Sequence, residues 1–498
     1  MTQSPKFTEL YFGMADSKNE ARDSPEAFIE SFVDPQGVVD DLRNRRKFLV
    51  LGPKGAGKSA VAWYMDLTAS PETELISARD IGELPIADVE RMKTGDSAGV
   101  GRTVTAWKLI ILCALLDLAL KDQSSPLHQI AEVQRVEKEL RKQGFMDPTP
   151  IKAVLETTKS TYKVPIPKLG EVFAREKTSS VHLANIVPFV EKWVAESRGP
   201  NKYTLILDGI DSIYLNDPQY FTSVSAMVQA VYSINQALRA SQSSALVVLL
   251  VRNDLFSRLT LADAGKMRED FGADLDWRIL SGQPRQAPLF KLVNEKAGAL
   301  VDAAPADIVG AYFPSDVQLG GRGGGAPEWM NIHKYLLNLT RHTPRDILRL
   351  FEHIRRVAAA GNLRMTRDGT VTQEIIREGV LQYSSKYFVD AINNELVGRE
   401  GDDYELVREG MVTLRHLHKS TFTLAEFTTE CFGDSSIESR KSSEKILTWL
   451  FFAGALGNVR GGAENYLQFY HRREDTDVYL KGKLILHNAL VHAWNIPR

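Results

Sequence analysis

The stretch Lys47-Phe48-Leu49-Val50-Leu51-Gly52-Pro53-Lys54-Gly55-Ala56-Gly57-Lys58-Ser59 decides the fold. Lys47 to Leu51 mixes aromatic and branched side chains and stops at Gly52-Pro53, which predicts a buried strand. Gly52 to Ser59 then matches GxxxxGK(S/T) at every fixed position. Ala60, Val61, Ala62, Trp63 and Met65 predict a helix packed on that strand. Each part has a chemical reason. The glycines let backbone N–H groups turn inward around phosphate oxygens, where a side chain would block the approach. Lys58 offers a mobile ammonium to the outer phosphates, the Ser59 hydroxyl offers a ligand to Mg²⁺, and the helix start adds its positive end. The expected phosphate-binding set is therefore Gly52, Pro53, Lys54, Gly55, Ala56, Gly57, Lys58, Ser59 and Ala60.

Such a loop needs a carboxylate from a neighbouring strand. Tyr203-Thr204-Leu205-Ile206-Leu207 is a second apolar run and ends at Asp208, the expected partner of Ser59 in holding the metal. Asp211 is the candidate for orienting an attacking water. A glutamate directly after the first acid is the usual base in many ATPases, and here that position is Gly209. Ala245 to Val251 forms a third strand, closed by Arg252-Asn253, two residues placed to sense a terminal phosphate. Continuous apolar strands separated by helices predict an α/β fold with a parallel sheet covered on both faces.

The rest of the 498-residue chain bounds the reading. With 43% hydrophobic and 25% charged residues it is neither disordered nor low-complexity. Sixty-one Lys and Arg against 63 Asp and Glu point to no polyanion partner overall. Two cysteines, Cys113 and Cys431, exclude a disulfide framework and a cysteine zinc site. The longest apolar run, Leu109 to Leu116, is far below the roughly 20 residues of a membrane span, and MTQSPKFTEL does not read as a secretory signal. The expectation is a cytoplasmic protein without membrane contact.

Trp107–Lys121 and Ile130–Gln143 read as helices, and Thr161–Leu169 as a loop or edge hairpin. From about residue 290 helical patterns replace strands, interrupted by the flexible run Gly320-Gly321-Arg322-Gly323-Gly324-Gly325. Near the end, helices at Leu406–Lys419, Thr423–Phe432 and Ser443–Phe452 precede alternating segments at Tyr466–His471 and Val478–Ile485, the order of a winged helix. Gly401 to Arg498 holds 12 Lys and Arg against 13 Asp and Glu, so packing or oligomerisation is favoured there over DNA binding.

At these residues the chain resembles the AAA+/STAND group of P-loop ATPases, with its origin-recognition-like and NACHT-like switches. More closely, it resembles bacterial P-loop ATPases often encoded in defence neighbourhoods. The likeness is carried by Tyr11-Phe12-Gly13 with Ala15 and Glu20, the Phe48–Ser59 block, and Leu207-Asp208-Gly209-Ile210-Asp211. It continues through Val251-Arg252-Asn253-Asp254 with Trp277, Thr343-Pro344-Arg345-Asp346, and Leu484-Ile485-Leu486-His487-Asn488. The resemblance implies four regions: a lead over 1–45, a P-loop core over 46–290 with a helical insertion near 100–180, a helical lid over 291–390, and a winged-helix-like domain over 391–498. It implies ATP and Mg²⁺ as ligands, slow hydrolysis, Arg345 as a lid arginine reaching the γ-phosphate, and an arginine finger among Arg258, Arg268, Arg278 and Arg285. It also implies a homo-oligomer with an effector protein partner in antiphage defence. The alternative is an origin-recognition-type ATPase that binds DNA through the C-terminal module.

Overall fold

The computed structural model describes residues 4–92, 99–159, 163–165, 180–197, 199–210, 218–278, 283–319, 328–397, 404–461, 466–472 and 476–497. The chain divides into two units. One comprises Gln36–Pro53 and Lys58–Leu275, the other Met1–Pro35, Lys54–Gly57 and Asp276–Arg498.

The first unit is built on a five-stranded parallel sheet. Its strands are β1 (Leu49–Gly52), β2 (Glu74–Asp80), β3 (Lys202–Asp208), β4 (Ala245–Arg252) and β5 (Gly272–Asp274), in the spatial order β2-β3-β4-β1-β5. Together with the GxxxxGKS turn after β1, this is the P-loop NTPase fold. The three strands expected from continuous apolar runs, β1, β3 and β4, form the centre. Every residue of β4 is buried, so both of its faces are covered. Two edge strands escaped the sequence. β2 is only half-buried along most of its length and ends in Arg79-Asp80, and β5 has three residues.

Helix α1 (Lys58–Leu67) packs on β1 and β2. Helix α2 (Gly99–Lys121), within the stretch expected as an insertion, lies directly on β2 and β3. It also packs against α3 (Leu183–Glu196) and α4 (Pro218–Ala240). By length and composition Gly101–Lys121 could cross a membrane, contrary to the reading of its longest uninterrupted run, but 83% of its apolar window is buried inside the chain. Its polar atoms are matched one by one. Trp107 Nε1 donates to Ser223 Oγ at 3.0 Å, and Asp117 accepts from Arg79 and Arg141 at 3.0 and 2.9 Å. On α4, the Asn235 amide closes a two-way bond with the Val247 backbone on β4, at 2.8 and 3.0 Å. Buried polar groups without such partners would each cost about 1–3 kcal/mol. Within Thr161–Leu169, expected as a loop or edge hairpin, Lys163–Pro165 is a strand whose antiparallel partner, Ser180–His182, lies beyond that stretch; the residues between the two are not among those described.

In the second unit the aromatic lead is core. Phe7 and Phe12 are fully buried among Tyr312, Phe313 and Phe351. The buried Lys296 ammonium meets Glu20 at 2.7 Å, and Tyr11 donates to the same carboxylate at 3.1 Å. Helix α5 (Pro344–Ala359) packs on α6 (Gln373–Tyr383). Strands do not stop at residue 290: a short hairpin pairs Asp316–Gln318 with Trp329–Asn331, and the glycine-rich run between them lies outside the described residues.

The C-terminal stretch carries α7 (Tyr404–His416), β6 (Thr421–Thr423), α8 (Leu424–Phe432), α9 (Ile437–Phe452), β7 (Leu456–Arg460), β8 (Tyr466–Gln468) and β9 (Lys483–Leu486). The strands form an antiparallel sheet ordered β6-β9-β7-β8. Thr423, expected inside the second helix, is its cap: its hydroxyl accepts from Glu426 N while Glu426 reaches back to Thr423 N. Helix α9 begins six residues ahead of the expected Ser443, where Ser436 supplies the cap.

The Glu20–Lys296 pair gives a direct test of the second unit. Glu20→Ala leaves an ammonium buried without its counter-charge and is expected to lower unfolding free energy by about 3–5 kcal/mol. Chemical denaturation monitored by tryptophan fluorescence reads the change, and an unaltered midpoint would contradict the pairing.

Candidate functional site

The carboxyl ends of parallel strands are where a doubly wound sheet takes its ligands. In the first unit, that edge gathers Gly52 and Pro53 after β1, Lys58 and Ser59 at the start of α1, Asp208 at the end of β3 and Arg252 at the end of β4. Ser59 Oγ donates to Asp208 Oδ2 at 2.5 Å, and the Gly209 N–H donates to Asp208 Oδ1 at 2.8 Å. A hydroxyl and a carboxylate so placed are the oxygen donors a hard divalent cation takes, so these residues fit the magnesium that the loop motif implies. The Lys58 ammonium donates to the carbonyls of Gly52 and Pro53 at 2.9 and 3.0 Å. It thus lies back over the start of the loop.

The middle of the loop, Lys54–Gly57, groups with the second unit and makes hydrogen bonds within it, two of them donated by side chains. Trp277 Nε1 donates to Ala56 O at 2.8 Å, the Arg345 N–H points to Gly55 O at 3.4 Å, and Lys54 Nζ donates to Asn394 O at 3.3 Å. Gly55 and Gly57 take φ of +82° and +96°, a region L-residues enter only at a cost. Their carbonyl and amide dipoles are thereby turned without a side chain in the way.

Arg345 is the second residue of α5 and is exposed. Its position is set by its neighbours. Thr343 caps the helix by accepting from Asp346 N, Pro344 supplies a fixed φ at the first turn, and Asp346 is fully buried. Burial alone would raise the Asp346 carboxyl. The charge and paired hydrogen bonds of Arg341, at 2.9 and 3.0 Å, and the Tyr387 hydroxyl, at 2.8 Å, hold it below the usual carboxylate range. Just ahead of the cap, His342 is pushed down to about 3 by burial, with Arg472 adding to the effect. It is therefore neutral at physiological pH.

The remaining sequence candidates fall differently. Arg252 is the register partner of Gly52, and its buried guanidinium is held by Asp254 through Nε and Nη2, both at 2.9 Å. Asn253 opens the one-turn helix Asn253–Phe256 that follows. Asp211 lies outside the described residues. Of the four finger candidates, Arg268, Arg278 and Arg285 are paired with Asp274, Asp276 and Asp307 at 2.9, 2.6 and 2.5 Å, and Arg258 lies over the Phe221 ring. Sequence reasoning missed Asp80, the register partner of Asp208 on β2. Its only mark in the sequence is the acid that closes Leu75-Ile76-Ser77-Ala78-Arg79-Asp80, a run too mixed to read as a strand.

Among solved structures, the chain is similar to the Orc1 protein of Aeropyrum pernix in complex with DNA, at 13% identity over 94% of each chain with a TM-score of 0.39. It is also similar to the RuvB Holliday junction branch migration motor of Thermotoga maritima, at 12% identity over 89% of this chain and 96% of that one, with a TM-score of 0.31. At these values neither adds to what the sheet and the loop show. No known family and no curated protein matches the chain.

The loop geometry generates its own test. A Cβ on Gly55 would lie 3.2 Å from Arg345 Cβ and 3.3 Å from Thr343 Oγ1, on a backbone already at positive φ. Gly55→Ala is expected to lower the unfolding free energy by about 1–2 kcal/mol, the cost of an L-side chain on left-handed backbone. Chemical denaturation measures it, and a wild-type midpoint in the variant would refute the tight fit.

Proposed function

We propose that this chain is a Mg-ATP-binding switch ATPase of the AAA+/STAND type that hydrolyses slowly and changes its assembly state with the nucleotide. The observation that carries the reading is the 2.5 Å meeting of Ser59 Oγ and Asp208 Oδ2 at the carboxyl edge of the sheet. A triphosphate seated on the loop amides would take Lys58 from the carbonyls of Gly52 and Pro53 onto its outer phosphates. The magnesium it brings would be taken by Ser59 and Asp208, and would neutralise charge on the β- and γ-oxygens. Arg345 as the lid arginine that reports a third phosphate rests on the sequence resemblance. Gly209 puts no carboxylate on the chain directly after Asp208, and slow turnover is the part of the reading that rests on the sequence resemblance. The place in antiphage defence, with an effector as partner, rests on the sequence resemblance. Phosphate release by the purified protein is expected to fall about a hundredfold in Lys58→Ala, the scale of losing a transition-state charge contact. Mass photometry with and without Mg-ATP is expected to differ for the wild type and not for that variant. Equal background rates in the two proteins would eliminate the ATPase.

A second reading, a DNA-binding ATPase, is favoured by one feature of the C-terminal module. A cavity of about 560 Å³ is lined by Arg440, Lys481 and Lys483 together with Thr423, Thr428 and Ser435, and by no carboxylate. Its cations are those a phosphodiester backbone would need. If this reading holds, duplex DNA affinity measured by fluorescence anisotropy falls steeply with salt, and Lys481→Glu/Lys483→Glu flattens the slope. Salt-independent or absent binding returns the module to a packing role.

A further inference from the structure

We propose that Asp80, on the strand next to Asp208, is the carboxylate that orients and deprotonates the attacking water. It would do the work for which the chain has no glutamate at position 209. The inference rests on the ATPase reading above and deepens it. β2 and β3 are parallel and in register, with Asp80 opposite Asp208, and the ladder runs one residue further through the Ile81 N–H to Asp208 O at 2.8 Å. The two acids are therefore fixed on neighbouring strand ends, about 4.8 Å apart along the hydrogen-bonding direction. Asp80 is exposed at that edge, and its Oδ1 accepts from Gly82 N at 2.9 Å.

Gly209 supplies the second, independent observation. It has φ +92°, and a Cβ built on it would run into Asp80 Oδ1 and come within 2.6 Å of Gly82 N. The Asp80 carboxylate thus occupies the space that a side chain at 209 would enter. The positive φ and the Gly82 backbone also demand a glycine at 209, so at this place of the edge the carboxylate comes from β2. A general base must lie within hydrogen-bond reach of the water it activates. Register puts Asp80 on the strand end next to the one that carries the Asp208–Ser59 pair, at the edge where the terminal phosphate would lie.

In the step, the water oxygen forms a bond to the γ-phosphorus as its proton passes to Asp80. The bond from the γ-phosphorus to the β,γ-bridging oxygen breaks, and its electron pair leaves with ADP. The proton held by Asp80 is then released to the phosphate product or to solvent. No oxidant or further co-reactant is needed.

The test compares single-turnover and steady-state ATP hydrolysis in the full chain for wild type, Asp80→Asn, Asp80→Glu and Lys58→Ala, with Mg-ATP affinity measured by calorimetry. Asparagine keeps an oxygen to accept from Gly82 N and so preserves the turn, while the basic charge is lost. The expected result is a fall in kcat of about 10²- to 10⁴-fold in Asp80→Asn. ATP affinity stays within twofold of the wild type, and Asp80→Glu recovers part of the turnover. Wild-type kcat in Asp80→Asn while Lys58→Ala is inactive overturns the assignment, as does loss of turnover in Asp211→Asn with Asp80→Asn unaffected. An equal fall in affinity and rate in Asp80→Asn, or no recovery in Asp80→Glu, also overturns it by making Asp80 structural. If Lys58→Ala hydrolyses ATP as the wild type does, it is the ATPase reading that falls, whatever the Asp80 variants do.

Discussion

A hydroxyl and a carboxylate 149 residues apart in the chain meet at 2.5 Å, and the chemistry of the site depends on that meeting. It is not a contact between adjacent strands. β4 stands between β1 and β3, so their axes are about 10 Å apart. The gap is closed because the loop after β1 turns back into α1, which delivers Ser59 towards the end of β3. β4 is therefore the spacer of the site. Its eight residues are all buried, and Asn235 ties its backbone to α4. Its last residue, Arg252, sits beside Gly52 with its charge answered by Asp254.

Charge burial follows one pattern in both units. Arg252 has Asp254, Lys296 has Glu20, and Asp346 has Arg341 and Tyr387. Each of these groups would be costly alone in a low-dielectric interior. Such pairs contribute little net stability, but they fix where a neighbouring residue can go. The clearest case is Arg345, exposed between the buried Pro344 and Asp346. With Asp346 locked and Thr343 capping, the first turn of α5 has one rotation. The arginine is held out from the helix start, beside the Gly55 carbonyl.

What could be read in the sequence followed the strength of its physical signal. Long apolar strands and the glycine-lysine-serine turn spell out their own geometry, so β1, β3, β4, α1 and the Ser59–Asp208 pairing were legible. β2 and β5 were not, because an edge strand has one covered side and needs no apolar run, and three residues carry no period. The helix ending at Lys121 was visible but its start was not, since Gly99 to Ala106 holds two glycines, Arg102 and two threonines and no apolar run, and only the fold shows that Arg79 and Arg141 answer Asp117. Arg252 read as a phosphate sensor because a cation at a strand end invites that reading. Its bidentate partner two residues on became visible only once the turn into Asn253–Phe256 was formed.

The glycine after Asp208 shows how an apparent loss in one dimension can be a relocation in three. On the chain, residue 209 has no acid; in the sheet, the neighbouring strand brings one to the same place. Register makes this exchange available. Once the Ile81 N–H bonds to Asp208 O, residue 80 is carried to the edge whatever its identity, and its side chain competes for the volume above residue 209. Two carboxyl-bearing side chains would crowd and repel there, at a cost in both packing and charge. A glycine at 209 with positive φ removes one of them and opens the backbone for the other. The absence at 209 and the presence at 80 therefore meet in one volume at the sheet edge, which a motif that runs along one strand does not show.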